Sequence, residues 1–498
     1  MKEGIKSFYS ILAKYLYPRL EWIIIFIGIA LRIVRYLSNP SLWLDEAYHA
    51  YLIIKFPFLD FSNPFVPAGY LFIERLFVKI FGTGEYSLRL FPLICGISSV
   101  ILFYKFVRNY LSRKAVFLAL FLFSLCEPLI YFSSEVKQYS SDVLCSLILY
   151  IMAHNIRQKE RINIAKAFLY IVTGAVIIWF SHPALFVSAG IMVVLILSSF
   201  KQNNFKKMIT LIWIASMWLA SFIFNYFMIL QNYHNYDWFI DTYINSYMPL
   251  LPLSLKDFRW FISVSFNFFK YMDAFPLSGI AVLTVIIGAY EFLKRDKIGF
   301  YIITTPILFT LFASGLHKYP FTDRLILFLW PAVLCIMAAG VEQILIKTKK
   351  IYPILGWLIV ILLFFHPLIY ETLALINPPR KEEIAPVISY IRNKRQPGDI
   401  VYVYAHAKVP FEYYASRFGF KKGDYIIGIK AANNWDRYIH NLDKFRGNKR
   451  VWVLFSHVRK DNGIDEEKYL LHYLDKIGHK IDSYKAKRAS VYLYYLSN

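Results

Sequence analysis

Two adjacent carboxylates are the first residues in this chain whose types and spacing could do chemistry. Asp45 and Glu46 lie in Ser41-Leu-Trp-Leu-Asp-Glu-Ala-Tyr-His-Ala50, directly after the first long apolar stretch. Trp43 and Tyr48 flank them, where a surface loop would carry polar residues. Ionisable groups at a membrane boundary are costly, so a pair placed there marks a candidate site. One carboxylate could take a proton from an acceptor hydroxyl while the other positions it or holds a cation. The plainer alternative is an acid pair that orients its loop or salt-bridges Arg75 or Arg89. His49 follows on the same helical face. It offers a nitrogen to a divalent metal, or only a hydrogen bond to its neighbours.

Two further clusters supply the opposite charge. Tyr131-Phe-Ser-Ser-Glu135-Val-Lys137-Gln-Tyr139 is a short turn between apolar stretches. Lys137 offers an ammonium to a phosphate, with Glu135 and Tyr139 fixing its position; a neutralising Glu135–Lys137 pair is the structural alternative. Leu316-His317-Lys318-Tyr319-Pro-Phe-Thr-Asp-Arg324-Leu325 places Arg324 at the mouth of another apolar stretch. Snorkelling accounts for such an arginine, and a second phosphate clamp is the sharper reading. Acids on one loop and cations on two others suit a reaction on a lipid-linked phosphate. The cations stabilise the departing phosphate and a carboxylate activates the nucleophile. His182, in Ser181-His-Pro-Ala184, reads as part of a turn. There is no Gly-rich phosphate loop, Gly-x-Ser-x-Gly or His-Glu-x-x-His, so no nucleotide cofactor is indicated.

The elements that must hold these residues follow from composition. The 498 residues are 57% hydrophobic and 19% aromatic, with mean hydropathy +0.44. That composition predicts a polytopic membrane protein with aromatic belts. The net charge of +23 belongs beside spans or anionic lipid and gives no reason to invoke nucleic acid. Cys95, Cys126, Cys145 and Cys335 all fall in apolar stretches without metal-site spacing. No cleavable signal peptide is evident, and the first apolar run reads as a retained span. Apolar segments of spanning length lie near 21–38, 88–107, 115–133, 139–156, 166–181, 183–200, 208–230, 275–293, 299–315, 325–346 and 351–371. Alternate loops carry the basic clusters, such as Arg108, Arg113 and Lys114, or Lys347, Lys349 and Lys350. By the positive-inside rule these face the cytoplasm, which puts 39–87, 134–138, 231–274, 316–324 and everything after about 372 outside. Within 39–87, Leu44–Phe58 and Val66–Phe81 predict helices lying in the interface.

After Pro378-Pro379 the pattern changes. Strand signals at Ile400–Tyr404, Tyr425–Ile429, Arg450–Phe455 and Ser490–Leu496 alternate with helical ones at Glu382–Asn393, Pro410–Arg417, Asn434–Phe445 and Glu466–Lys476. This predicts a small α/β domain over 377–498 behind a helical membrane domain over 1–376. The domain carries 23 Lys and Arg against 13 Asp and Glu, which suits anionic head groups or an anionic acceptor.

The order of these motifs resembles the GT-C glycosyltransferases of the protein O-mannosyltransferase and aminoarabinose transferase type. Leu42-Trp-Leu-Asp45-Glu46-Ala-Tyr is similar to their acidic first-loop motif. Pro67-Ala-Gly-Tyr70 and Phe81-Gly-Thr-Gly-Glu85-Tyr-Ser-Leu-Arg89-Leu-Phe-Pro92 resemble the lead into the second span. Tyr131–Tyr139 is similar to the family's Glu-x-Arg/Lys-x-Tyr turn. Tyr319-Pro-Phe-Thr-Asp-Arg324 and its following span resemble the late Arg-led segment, and Glu382–Tyr414, with Gln396-Pro-Gly-Asp399, resembles the outward domain. The resemblance implies an inverting sugar transfer from a polyprenyl-phosphate donor at the outer face of the plasma membrane. It makes Asp45 the catalytic acid/base group with Glu46 beside it, and Lys137 and Arg324 the donor-phosphate contacts. Glu135, Tyr139, His317, Lys318, Tyr319 and Tyr70 would support them. Some relatives carry Glu-Lys or His before the proline of the first loop. Here Phe65-Val66 precede Pro67, so no obligatory metal is expected, with His49 as the one metal-ligand candidate. The acceptor stays open between glycan, lipid and protein. A transporter or flippase using the same cations is the rival expectation. Few mid-span charges and no evident internal repeat weigh against it.

Overall fold

In an apolar surrounding the backbone must satisfy its own polar groups, and helices do so segment by segment. The structure, a computed structural model, describes residues 2–58, 60, 63–231, 237–349, 352–431, 434–461 and 463–496, with side chains from residue 19 onward except 237, 238 and 461. A helix lies on each of the eleven segments predicted to span. Among the described residues six are long and apolar enough to cross a membrane: Glu85–Arg108, Ala184–Lys201, Phe205–Met228, Lys297–Gly315, Asp323–Thr348 and Pro353–Ile376. A seventh is added if Arg113–Ser124 and Glu127–Ser134, bent by 58°, form one span. Ile164–Phe180 is a shorter apolar helix. Polar caps start several of them. Asn163 accepts from the Lys166 amide (2.9 Å), Asn204 from Lys207 (3.1 Å) and Asp296 from Gly299 (3.0 Å), which satisfies donors that a helix start leaves unpaired.

The chain forms two compact units. The first comprises Met1–Leu37, Phe58–Ile80 and Arg89–Asn377. Its core is a continuous apolar cluster in which Phe103 stacks on Phe123 at 4.1 Å and Phe268 on Trp330 at 4.6 Å. The helices Ser278–Arg295 and Trp330–Thr348 touch backbone to backbone. A Cβ on Gly288 would lie 1.9 Å from the Ile336 carbonyl oxygen, and one on Gly340 1.8 Å from that of Thr284. Small residues at a membrane helix crossing permit this approach. The segment 231–274, for which the sequence predicted no element, contains the helix Leu255–Lys270. A Ser254/Asp257 capping box opens it, and that spacing was readable in the sequence.

The second unit comprises Ser38–Pro57, Phe81–Leu88 and Pro378–Asn498. Its strands are β1 (Ile400–Val403), β2 (Ile426–Ile427), β3 (Val451–Ser456), β4 (Lys460–Asp461), β5 (Ile464–Asp465), β6 (Gly478–Ala486) and β7 (Ala489–Leu496). Five of them form a sheet in the order β2-β1-β3-β7-β6, while β4 and β5 pair separately. β1 runs parallel to β2 and β3, whereas β7 runs antiparallel to β3 and β6. β3 is buried along its whole length, as a central strand covered on both faces should be. β6 was not expected. Its sequence, Gly-His-Lys-Ile-Asp-Ser-Tyr-Lys-Ala, is mostly polar because an edge strand exposes much of its surface. The helices Ile384–Lys394, Lys408–Ala415, Trp435–Asp443 and Glu466–Ile477 lie where helical signals were read. The helix Leu44–Lys55 packs on Lys408–Ala415 within this unit.

Candidate functional site

In the first unit Arg324 is brought together with Glu135, Tyr139 and Tyr271 from three separated turns. The 3-10 turn Phe132–Ser134 leads into a tight reversal in which the Lys137 amide donates to the Glu135 carbonyl (2.7 Å). Ser140 Oγ donates to the Phe132 carbonyl (2.6 Å), and Gln138 Nε2 to that of Phe65 (3.1 Å). These bonds hold Glu135 and Lys137 buried at 2% and 7% exposure. Burial at that level makes both ion-bearing groups costly unless they are engaged. Tyr139 opens the next helix, and the Arg324 guanidinium lies over its ring, 5.9 Å from the centroid. Tyr271 stacks on Phe132 at 6.4 Å and 10°. Its hydroxyl is within electrostatic reach of Glu135, Arg324, Asp323 and Tyr139. Burial, then Glu135, pushes that hydroxyl well above the ordinary phenol range, and Arg324 pulls the other way.

The backbone here is strained. Met272, Asp273 and Asp323 have φ of 50°, 55° and 45°, in the left-handed region that non-glycine residues rarely enter. Such strain persists where the surroundings over-determine it, often at functional sites. Tyr319 braces the Arg324 turn by donating to the Leu325 carbonyl (2.6 Å), its ring 5.1 Å from Phe186. His317 and Lys318 are exposed, with the His317 ring 4.9 Å from Tyr247. Tyr70 is fully buried, 5.7 Å from Phe91, and lies near Glu74. Burial holds the Glu74 carboxyl well above the usual carboxylate range. Arg75 donates to the Phe58 and Asp60 carbonyls (3.1 and 2.6 Å).

A brace that the sequence reading overlooked leads into the first of these turns. Arg35 Nη2 lies 3.3 Å from Glu127 Oε1, and its guanidinium sits 5.2 Å from the Tyr131 ring centroid. Glu371 is within electrostatic reach of Glu127. Arg32 donates to the carbonyls of Gly28 (2.8 Å) and Ser124 (3.4 Å). The available signal was two arginines and two glutamates inside apolar stretches. Tyr271 had no such signal.

In the second unit the acid pair occupies the first turn of Leu44–Lys55, where the helix N-terminus favours negative charge. Asp45 is half-buried, while Glu46 and His49 are buried. The preceding segment is tethered at three points. Ser41 Oγ donates to Glu383 Oε2 (3.0 Å), the Leu42 amide to the Tyr414 hydroxyl (2.9 Å), and the Leu44 amide to Glu382 Oε2 (3.4 Å). Glu382 Oε1 in turn meets His457 Nδ1 at 2.7 Å, and Lys381 Nζ lies 3.8 Å from the Trp43 ring centroid. The Lys381-Glu-Glu383 run after the double proline was the sequence sign of these tethers. Among the described residues no three His, Cys, Asp or Glu side chains are grouped to hold a metal ion.

This fold is similar to that of solved membrane glycosyltransferases. Residues 65–227 match the family model described as dolichyl-phosphate-mannose-protein mannosyltransferase. Among solved structures, the chain is similar to ArnT from Cupriavidus metallidurans bound to undecaprenyl phosphate, with TM-score 0.55 and 11% identity over 95% of this chain and 98% of that one. It is also similar to the archaeal oligosaccharyltransferase AglB from Archaeoglobus fulgidus, in complex with an inhibitory peptide and a dolichol-phosphate. There the TM-score is 0.55 and the identity 13%, over 97% of this chain and 74% of that one. No curated protein sequence matches the chain. Fold and family model thus agree with the superfamily that the sequence motifs resembled.

Proposed function

We propose that the protein is a glycosyltransferase that moves a sugar from a polyprenyl-phosphate donor to an acceptor hydroxyl on the outer face of the plasma membrane. The observation that carries this is the convergence of Glu135, Tyr139, Tyr271 and Arg324, with buried Lys137 in the same turn. Lys137 and Arg324 bind the donor phosphate, and Glu135, Tyr139 and Tyr319 hold them in place. His317 and Lys318 stand at the rim, and Tyr70 supports from the neighbouring helix. The likeness to structures that hold undecaprenyl phosphate and a dolichol-phosphate supports a lipid-phosphate donor.

Asp45 takes the proton of the acceptor hydroxyl as its oxygen attacks the anomeric carbon from the side opposite the phosphate. The bond from that carbon to the phosphate oxygen breaks, and the configuration inverts. Polyprenyl phosphate leaves with the electron pair, stabilised by the two cations. Glu46 supports Asp45. The membrane domain over 1–376 crosses eleven times with its basic loops in the cytoplasm, and 377–498 lies outside.

The test is purified protein with a labelled polyprenyl-phosphate sugar. Release of polyprenyl phosphate is expected, and Asp45→Asn should lower turnover by about 10²–10⁴-fold. Near-wild-type turnover in Asp45→Asn sinks the assignment of the base. Binding without release would favour transport.

A further inference from the structure

The second unit contains a cavity of about 280 Å³ that the transfer step leaves unused. Ser41, Glu85, Glu383, Ser389, Tyr414 and Phe418 line it. Its polar groups are mainly acceptors and hydroxyls, and two aromatic rings form part of its wall. Glu85 is paired with Arg417 at 2.9 Å. Glu383 is buried, and its Oε2 is taken by Ser41. Its Oε1 has no hydrogen-bond partner among the described residues, with Arg380 Nε 3.9 Å away. A buried carboxylate oxygen left without a donor is expensive. That oxygen is closed to solvent and faces Arg380, so a ligand in the cavity meets the rest of the Glu383 side chain together with Ser41, Ser389 and Tyr414.

Chemistry and size narrow the ligand. Carboxylates and hydroxyls accept from several donors at once, and an aromatic face covers apolar C–H groups. A hexopyranose presents hydroxyl donors at its edge and C–H groups on its face. An inorganic anion would meet two carboxylates. The space is small and largely open to solvent, so a single ring can rest against its wall. We propose that this cavity is a monosaccharide subsite that holds part of a glycan acceptor, an inference that rests on the glycosyltransferase reading above. Two of its walls, Glu383 and Tyr414, also tether Ser41 and Leu42. Asp45 lies three residues beyond Leu42. A sugar in the cavity therefore settles against the same groups that hold the acid segment.

The experiment measures binding of methyl α-D-mannopyranoside to the full-length protein in detergent by saturation-transfer NMR. Inorganic phosphate serves as the anionic probe. Ser389→Trp fills the cavity and leaves the tethers intact. It should weaken the glycoside by about tenfold or more. Glu383→Gln should weaken it several-fold, and phosphate should not compete. If Ser389→Trp is not monodisperse, Glu383→Gln decides. Wild-type affinity in a monodisperse variant, displacement by phosphate, or no glycoside binding to the wild type overturns the subsite. Polyprenyl phosphate release is read on the same wild-type preparation. Release without glycoside binding removes the subsite alone. Glycoside binding that is lost in the variants, without release from any donor, removes the transferase reading and leaves a sugar-binding cavity.

Discussion

The cationic group of the first unit and the acid segment of the second are held in opposite ways. Glu135, Lys137, Tyr139 and Arg324 come from turns fixed by stacked rings and by backbone in the left-handed region at Met272, Asp273 and Asp323. Each such residue costs on the order of 1–3 kcal/mol, which the surrounding packing must over-determine. Asp45 and Glu46 instead sit on an ordinary helical turn. Their placement is set by hydrogen bonds from Ser41, Leu42 and Leu44 to Glu383, Tyr414 and Glu382. A phosphate site gains from fixed charges that need no reorganisation. A proton acceptor needs only one side chain, aimed by its anchors. The first design should fail sharply when a charge is removed, and the second should fail gradually when an anchor is removed.

Arg324→Gln is the sharper break. It removes the charge and the guanidinium that lies over Tyr139, leaving a shorter neutral amide. The kcat/KM for a polyprenyl-phosphate sugar should fall by about 10²–10³-fold. Arg324→Lys should recover part of that loss, since an ammonium restores charge without the planar fork. A fall of less than about threefold for the glutamine variant would remove Arg324 from the phosphate site.

Glu382→Ala tests the other design. It removes the acceptor of the Leu44 amide and the partner of His457 together. Losing one charge-assisted contact of this kind costs about 1–2 kcal/mol. We expect kcat to fall by about tenfold while the KM for the donor stays the same, because the donor cations lie on other segments. Glu382→Gln, which keeps an acceptor, should return most of the loss. An unchanged kcat, or a loss that falls on donor KM, would show that the tether does not aim Asp45.

The same contrast explains what the sequence could show. The helices of the membrane domain were legible because long apolar segments permit little else. The sheet of the second unit was legible at β3 and β7, whose apolar runs have strand length, and illegible at β6, where an edge strand is polar. Lys137 and Arg324 stood out as charges at the mouths of apolar stretches. Tyr271 did not, because a tyrosine in an aromatic-rich loop carries no local mark of the turn that buries it. Arg35, Glu127 and Glu371 did carry a mark, as ionisable residues inside apolar stretches. Their pairing joins positions far apart in the chain, and no local pattern encodes it. Glu382 and Glu383 showed only as a charged run, since their partners lie some 340 residues earlier.

The smallest expected effect concerns the scaffold that carries the tethers. Asp399 ends the turn before β1 and is buried. Its carboxylate accepts from Arg450 Nε (2.7 Å), the Trp452 indole (2.8 Å) and the Gln396 amide (3.0 Å). Burial pushes this carboxyl up, but those donors outweigh it and hold it below the ordinary Asp value. A carboxyl whose pKa is depressed by folding stabilises fully above its unfolded value, near 3.9, and loses that contribution as pH falls through the folded value. Asp399→Asn should therefore cost about 1–3 kcal/mol at neutral pH, read as faster hydrogen exchange of β1 and β3 amides. The gap between wild type and variant should stay constant from about pH 7 to 5 and close below about pH 4. Transfer activity at low temperature should be nearly unchanged, because the tethers to Ser41, Leu42 and Leu44 are left in place. A gap that persists at low pH would mean that the lost shape of the site, and not its charge, carries the effect.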